Sequence, residues 1–492
     1  MGTPSDVRPD DPTTTPTGGR GRRAVLALMG LALFVIVLNN SALNVAIPTL
    51  MRDLDADLPT VQWIVDAYSV VFAGLLLIGG ACADRWGRRR VTLSGLAVFA
   101  VASGASALAD AAWQVVLTRV VLGVAAAFVM PGTLAVLLDE FTGRQRATAI
   151  AVWSGIASLG VAFGPVLGGL VVAAAGWSAV FWLNVPPALV VVGAGSLVVR
   201  ESRDPARAPV EAVGGALSVL MIGGLVFAVI EFGASGRPDA AVVGAAVVAA
   251  AAAVGFAARQ RHADRPLVPR GLVRDGPFLG ASVSTMLLFF GLAGSLFVLT
   301  QRLQFRFGLS PVAAGLAVGP VALTVVVASV CSPVLARRTG PRVPVTVGLG
   351  VVTAGLAVLA TTGVHLPTVL LGLAVIGTGF GLAVPAATDV LVGRVPSDRA
   401  GAGAALNDTL QELGFALGVA VVGAVLHRAF VIAAGPGTDP AATLVSGSMD
   451  PGRASAAFDT AATAALSVAA AVVGVATLLA ARWIPGRDRS TG

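Results

Sequence analysis

Charge is scarce in this chain. Only 12% of its 492 residues are Asp, Glu, Lys or Arg, about half of the ~25% usual in a soluble domain. A chain this long with so little charge cannot cover itself with a polar surface, so a fully soluble globule is excluded and lipid must solvate much of it. Lysine is missing altogether: all 33 basic residues are arginine, a usage that points to a GC-rich genome. The two cysteines, Cys82 and Cys331, lie near helix ends in apolar surroundings with no ligand spacing, so neither a disulfide framework nor a metal site is implied. The histidines His262, His365 and His427 fall in loops or at span ends and are assigned no role. There is no P-loop, no glycine-rich phosphate cradle opening a soluble α/β unit, no zinc spacing and no nucleophile elbow. No soluble segment is long enough for a nucleotide-binding domain. The expectation is therefore a protein that is not an enzyme and holds no metal or organic cofactor.

What is abundant is apolar sequence: 56% of the residues are hydrophobic and the mean hydropathy is +0.87. Runs long enough to cross a bilayer, roughly 20 residues each, are predicted near 24–46, 62–83, 91–109, 112–138, 147–174, 179–199, 213–233, 240–258, 277–300, 311–335, 343–363, 367–392, 402–430 and 459–482. Fourteen spans put both chain ends on one side, and arginine says which. The net charge of +7 would suit nucleic acid, but the arginines sit in short clusters between apolar runs. With the N-terminus inside, 26 arginines fall on the cytoplasmic side and six outside (Arg52, Arg237, Arg302, Arg306, Arg428, Arg453). That asymmetry alternates loop by loop, as the positive-inside rule requires. The predicted location is the cytoplasmic membrane of a bacterium, multi-pass, with both termini cytoplasmic. The Pro/Thr/Gly-rich segment 1–23 reads as a disordered cytoplasmic tail, 483–492 as a second tail, and the stretch at about 433–458 as a flexible outer loop.

The two halves echo each other at a spacing of about 254 residues. Gly123 matches Gly377 and Pro131 matches Pro385. Gly160, Gly164 and Gly169 match Gly414, Gly418 and Gly423, and Gly87 matches Gly340 after a one-residue slip. This register lays the fourth span on the twelfth and the fifth on the thirteenth. The fold expected is an all-α membrane protein of two six-helix bundles, 24–199 and 277–482, in a parallel pseudo-twofold repeat, with two extra helices inserted in 200–276. A repeat of this kind places its substrate at mid-membrane between halves that rock.

Five groups of residues carry candidate chemistry. At the turn between spans two and three, Gly80, Asp84, Arg85, Gly87 and Arg88 set an acid against a basic cluster. They form either a charge latch, with Asp84 accepting from a helix N-terminus or an arginine of the facing half, or an ordinary positive-inside loop. Arg119, about 10 Å below the outer surface, costs about 2.5–3.5 kcal/mol to insert and needs a partner, structural or functional. Gly160, Gly164, Pro165, Gly168 and Gly169 let helices approach closely in span five, where Pro165 favours a kink. Asp408 and Glu412, four residues apart on one helix face, lie about 13 and 20 Å in from Arg399. Two carboxylates that close in a low dielectric do not both stay ionised, so the pair suits proton exchange or a cationic ligand. Asp66, between Trp63 and Tyr68 at the outer end of span two, is either a solvated end residue or a mouth that attracts cations, with the two aromatics as interface anchors.

Several segments together give the chain a family resemblance: LNNSALNVAIPTL (38–50), QWIVDAY (62–68), GACADRWGRRR (80–90), LTRVVLG around Arg119, GVAFGPVLGG (160–169), FWLNVP (181–186) and LNDTLQELGFALGVAVVG (406–423). From about residue 24 to 482 the chain resembles the fourteen-helix drug:proton antiporters of the major facilitator superfamily. The resemblance implies export of small hydrophobic, often cationic compounds or antibiotics, driven by the proton gradient, with a small-molecule substrate, protons and the bilayer as partners of a monomer. It implies Asp84 and Arg88 in a cytoplasmic gate, Arg119 in proton coupling, Gly164 and Pro165 in the antiporter motif, and Asp66, Asp408 and Glu412 in cation and proton binding. One departure matters. The family's first-span motif has an acid where this chain has Asn39, followed by Asn40, and an amide carries no proton. Leu122 likewise replaces a common Gln. Coupling then falls to Asp408 and Glu412, or the substrate's charge differs; a transporter of a specific metabolite or siderophore is the alternative reading.

Overall fold

The structure is a computed structural model and describes residues 19–203, 211–263, 271–362, 365–395, 400–440, 443–444 and 449–486. Among these the regular structure is helical. The first half comprises α1 (Gly19–Asp53), α2 (Leu58–Trp86), α3 (Arg88–Ala107), α4 (Ala112–Glu140), α5 (Gly143–Ala175) and the pair α6 (Ser178–Trp182) and α7 (Val185–Val198). Then come α8 (Ala212–Ser235) and α9 (Ala240–His262). The second half comprises α10 (Gly276–Gln301), α11 (Pro311–Thr339), α12 (Arg342–Thr362), α13 (Leu366–Gly393), α14 (Ala400–Ala434) and α15 (Pro451–Trp483).

Polar punctuation sets the helix starts. Asp57, Asp239, Asp275, Ser310 and Asp450 each cap a first turn by accepting from a backbone amide three residues on, and prolines at N1 or N2 follow at α2, α10, α11 and α15. Such residues satisfy or remove the donors a helix start leaves orphaned. Among the described residues thirteen helices are long and apolar enough to cross a membrane, fourteen when the bent α5 is counted as one span. In α5 the axis turns by 42° between Thr148–Val161 and Phe163–Ala175. Pro165 has no N–H for the Val161 carbonyl one turn earlier, and the bend falls there. Large apolar side chains such as Val101, Leu197, Val254, Leu323 and Ile432 are exposed, the exterior a bilayer solvates.

The repeat is visible as packing. α1 lies on α5, α2 on α4, α3 on α4 and α7; one repeat later α10 lies on α14, α11 on α13, α12 on α13 and α15. The glycines of the sequence register occupy matched close approaches. A side chain at Gly123 would meet the Tyr68 carbonyl of α2, and one at Gly377 the Val321 carbonyl of α11. Gly164 abuts Ser41 of α1, as Gly418 abuts Phe290 of α10. Two reciprocal seams join the halves: α5 on α11, where Gly169 meets Pro311, and α14 on α2, where Gly423 meets Gln62.

Element ends correct several sequence expectations. α1 begins at Gly19, inside the expected tail, while residues 1–18 lie outside the described set. α15 begins at Pro451, inside the expected 433–458 loop, because Asp450 and Pro451 start a helix there. Arg302 was expected in an outer loop. Instead α10 continues through a π-helical turn, Arg302–Arg306, and Arg302 is 1% exposed. Its guanidinium donates to Asp459 of α15 at 3.1 Å and to the Leu359 carbonyl at 3.3 Å, and Arg306 takes the other Asp459 oxygen at 3.0 Å.

Candidate functional site

The interior polar groups of the first half converge on α2. The Arg119 side chain crosses from α4 and donates to the carbonyls of Ile64 (2.8 Å) and Val65 (3.1 Å) and to Asn40 Oδ1 (3.4 Å). Its guanidinium stacks over Tyr68, 4.3 Å from the ring centroid. A buried guanidinium needs such partners, since water is not there to replace them. Asp66 is fully buried beside it. Among the described residues the two form no direct ion pair, and both Asp66 oxygens lack a hydrogen-bond donor. Asp66 is therefore neither a solvated end nor a mouth residue. α2 starts at Leu58, four residues before the expected span, which carries Asp66 two turns into the bundle. Tyr68 is likewise no interface anchor but a buried shelf under Arg119, and Trp63 packs against Phe227 of α8.

Asn39 and Asn40 point to different partners. Asn40 reaches Arg119, whereas Asn39, fully buried, accepts from Asn184 Nδ2 at 3.0 Å, which also donates to Ser103 Oγ at 3.2 Å. The position where the family carries an acid is thus an amide pair inside the first half.

The acids of α14 come from the other half. Asp408 accepts from Asn407 Nδ2 at 3.3 Å, and Asn407 Oδ1 accepts from Thr388 of α13 at 3.2 Å. Glu412 stands at the α2–α14 seam, facing the Ser69 hydroxyl of α2 and within electrostatic reach of Asp408 and Arg119. Both acidic residues are largely buried, with Glu412 Oε2 closed off from solvent, and Ser69 and Asp66 are fully sealed. The structure thus brings Asp66, Arg119, Asn40 and Glu412 into one cluster across the seam, with Asp408 a turn away; Asn39 stands apart.

The far end of this seam, opposite the terminal face where α1 begins and α15 ends, is clasped. Gln62 Nε2 donates to the carbonyls of Val419 (3.2 Å) and Ala420 (3.1 Å). Gln304 donates to the Val45 carbonyl of α1 at 2.9 Å. His427, assigned no role from sequence, is buried in α14 with Nδ1 3.6 Å from Asp439, whose carboxylate also faces the Leu58 amide.

The charged turn after α2 closes within the first half, not onto the facing half. Arg88 binds Asp84 through Nε and Nη2, each at 3.0 Å, and reaches Asp139 at the end of α4 at 3.2 Å. Gly80 faces Pro131 of α4 at van der Waals distance, and Arg85 is exposed. Gly87 has φ 116°, which disfavours a side chain, and a Cβ there would strike the Glu201 carboxylate. In α5, Gly160 takes a hydrogen bond on its carbonyl from Ser41 at 3.0 Å, Gly164 and Gly168 lie against α1, and Gly169 against α11, with Pro165 buried between.

Two repeated helical lobes around a polar seam at mid-bundle, wrapped in an apolar exterior, define a membrane transporter. The family model described as Major Facilitator Superfamily matches residues 29–419, and the chain belongs to that superfamily. Among curated relatives it is 34% identical to the multidrug efflux pump LfrA of Mycolicibacterium smegmatis, over 84% of this chain and 82% of the relative. It is 32% identical to the tetracenomycin C resistance and export protein of Streptomyces glaucescens, over 87% and 80%. Among solved structures it resembles a bacterial homolog of the human lysosomal transporter Spinster, in an inward-facing and occupied conformation, with TM-score 0.70, 15% identity and coverage of 95% of this chain and 98% of that one.

Proposed function

We propose that this protein exports small hydrophobic or cationic compounds, antibiotics among them, across the cytoplasmic membrane in exchange for protons. Its relatives are named for multidrug efflux and antibiotic resistance or export, and the arginine asymmetry supports cytoplasmic termini. The observation that carries the coupling is Glu412 of the second half facing Ser69 of the first, beside the buried Asp66 and Arg119. An acid at a seam changes its surroundings when the halves move, and an amide at position 39 leaves proton exchange to Asp408, Glu412 and Asp66.

In this reading the two six-helix halves, 24–199 and 277–482, are the moving bodies. Substrate enters from the terminal face while Asp408 and Glu412 are ionised. Protons from the far side neutralise them, and the positive substrate loses its attraction. Arg119, held to the α2 carbonyls, keeps a fixed positive charge near Asp66, and the Asp84–Arg88–Asp139 tie holds α2, α3 and α4 together as one body. Each charge moved through 100 mV contributes about 2.3 kcal/mol. The test uses vesicles with an imposed proton gradient and a cationic dye. Asp408→Asn with Glu412→Gln is expected to abolish gradient-driven uptake and to weaken binding of the cationic dye; undiminished transport refutes the coupling assignment.

A further inference from the structure

We propose that a groove at the α2–α3 turn binds the headgroup of an anionic phospholipid in the leaflet at the terminal face. The groove has a volume of about 590 Å³ and is lined by Arg85, Trp86, Arg90, Val91, Ser94 and Arg203, within the ~300–1,000 Å³ common for small-molecule sites. Three guanidiniums therefore border one cavity. Among the described residues Arg85 and Arg203 have no hydrogen-bond or ion-pair partner, and Arg90 is 72% exposed with a single 3.7 Å approach to Glu201.

The walls are built, not incidental. The chain leaving α7 is fastened to the start of α3: Glu201 accepts from the amides of Arg89 and Arg90, each at 3.2 Å, Ser202 accepts from the Arg88 amide at 3.0 Å, and Arg89 donates to the Val199 carbonyl at 3.2 Å. This fastening holds Arg203 opposite Arg85 and Arg90. Glu201 keeps its charge while it holds these amides and offsets part of the positive charge at Arg90, so Arg85 and Arg203 carry the excess. Gly87 makes the fit possible, since any side chain there would meet Glu201.

What lies beside the groove selects a lipid over a free anion. Ser94 is exposed, and below it on the same α3 face stand Val98 (46% exposed) and Val101 (74%). This helical stripe leads from the guanidiniums into the hydrocarbon. Trp86, 55% exposed at the rim, is the residue type that sits at the headgroup level. Guanidiniums match phosphate geometry, and acyl chains on the stripe add apolar contact that an inorganic anion lacks. The inference needs only the fold and holds whatever the transported compound.

The test is native mass spectrometry of the full chain in detergent, titrated with phosphatidylglycerol, phosphatidylcholine or inorganic phosphate. Phosphatidylglycerol is expected to bind at least tenfold more tightly than phosphatidylcholine. Arg90→Gln with Arg203→Gln is expected to weaken phosphatidylglycerol about thirtyfold, the equivalent of roughly 1 kcal/mol per juxtamembrane arginine, and Arg203→Gln alone about fivefold. The control Arg237→Gln with Arg453→Gln removes two charges elsewhere and should leave affinity unchanged. Equal binding of the two lipids, equal losses in the groove variants and the control, or displacement of phosphatidylglycerol by equimolar inorganic phosphate each overturns the proposal.

Discussion

Gln62 offers a direct handle on how tightly the two halves are clasped. Its side chain is fully buried, and its two donated hydrogen bonds to the α14 carbonyls at 419 and 420 cross from one half to the other. Gln62→Leu fills similar volume and removes both. At about 0.5–1.5 kcal/mol net per bond, the clasped arrangement loses about 1–3 kcal/mol relative to any arrangement in which this end has parted. That shifts the ratio of the two by about 5–150-fold. The reporter is Ser69→Cys, a near-isosteric change at a position with no exposed surface, in a background with Cys82 and Cys331 replaced by Ala. A membrane-impermeant maleimide added to whole cells should label Cys at 69 faster by that factor when Gln62 is Leu. Ser69 faces Glu412, so the comparison is made between reporter chains only and not against native transport. An unchanged labelling rate would refute the idea that these two bonds hold the seam shut.

The ion-paired cluster at the end of α10 supplies another expectation. Asp459→Asn leaves Arg302, 1% exposed, without its counter-charge, and breaking a buried pair costs about 3–5 kcal/mol; a markedly lower melting temperature in detergent checks it, and an unchanged one refutes it. Gly87→Ala should destabilise the α2–α3 turn by about 1–3 kcal/mol through its φ of 116° and the clash with Glu201, read as faster proteolysis at the turn.

Hydropathy made the spans legible, because a helix that must satisfy its own backbone in lipid leaves an unbroken apolar run. The repeat was legible too, since backbones that touch at Gly123 and Gly377 or Gly164 and Gly418 tolerate no larger residue. Depth was read less well. Span two was expected to begin at 62, although Asp57 and Pro59 carry the signature of an earlier start, and the error left Asp66 at a solvated end or mouth and Tyr68 at the interface when both are interior. Arg302 looked like a loop residue because its counter-ion, Asp459, is brought to it only by the packing of α15 on α10. Asp84 was legible as half of a charge pair, but Asp139, which draws Arg88 onto α4, sits on a helix that no local pattern connects to the turn. The partition of Asn39 and Asn40 between Asn184 and Arg119 depends on which way each neighbouring side chain faces along α1.

The inserted helices break the twofold symmetry of the lobes. α8 packs over the α2–α14 seam, where Ile222, Val226 and Ile230 meet Val70, Ala73, Ala416 and Ala420, and a side chain at Gly233 would collide with Ala424. The related α5–α11 seam has no inserted helix as a neighbour of that extent, and Phe163, Leu170, Leu316 and Leu323 stand exposed along its two helices. Among the described residues, a greasy solute wandering in the bilayer therefore meets a shuttered flank at one seam and a bare one at the other.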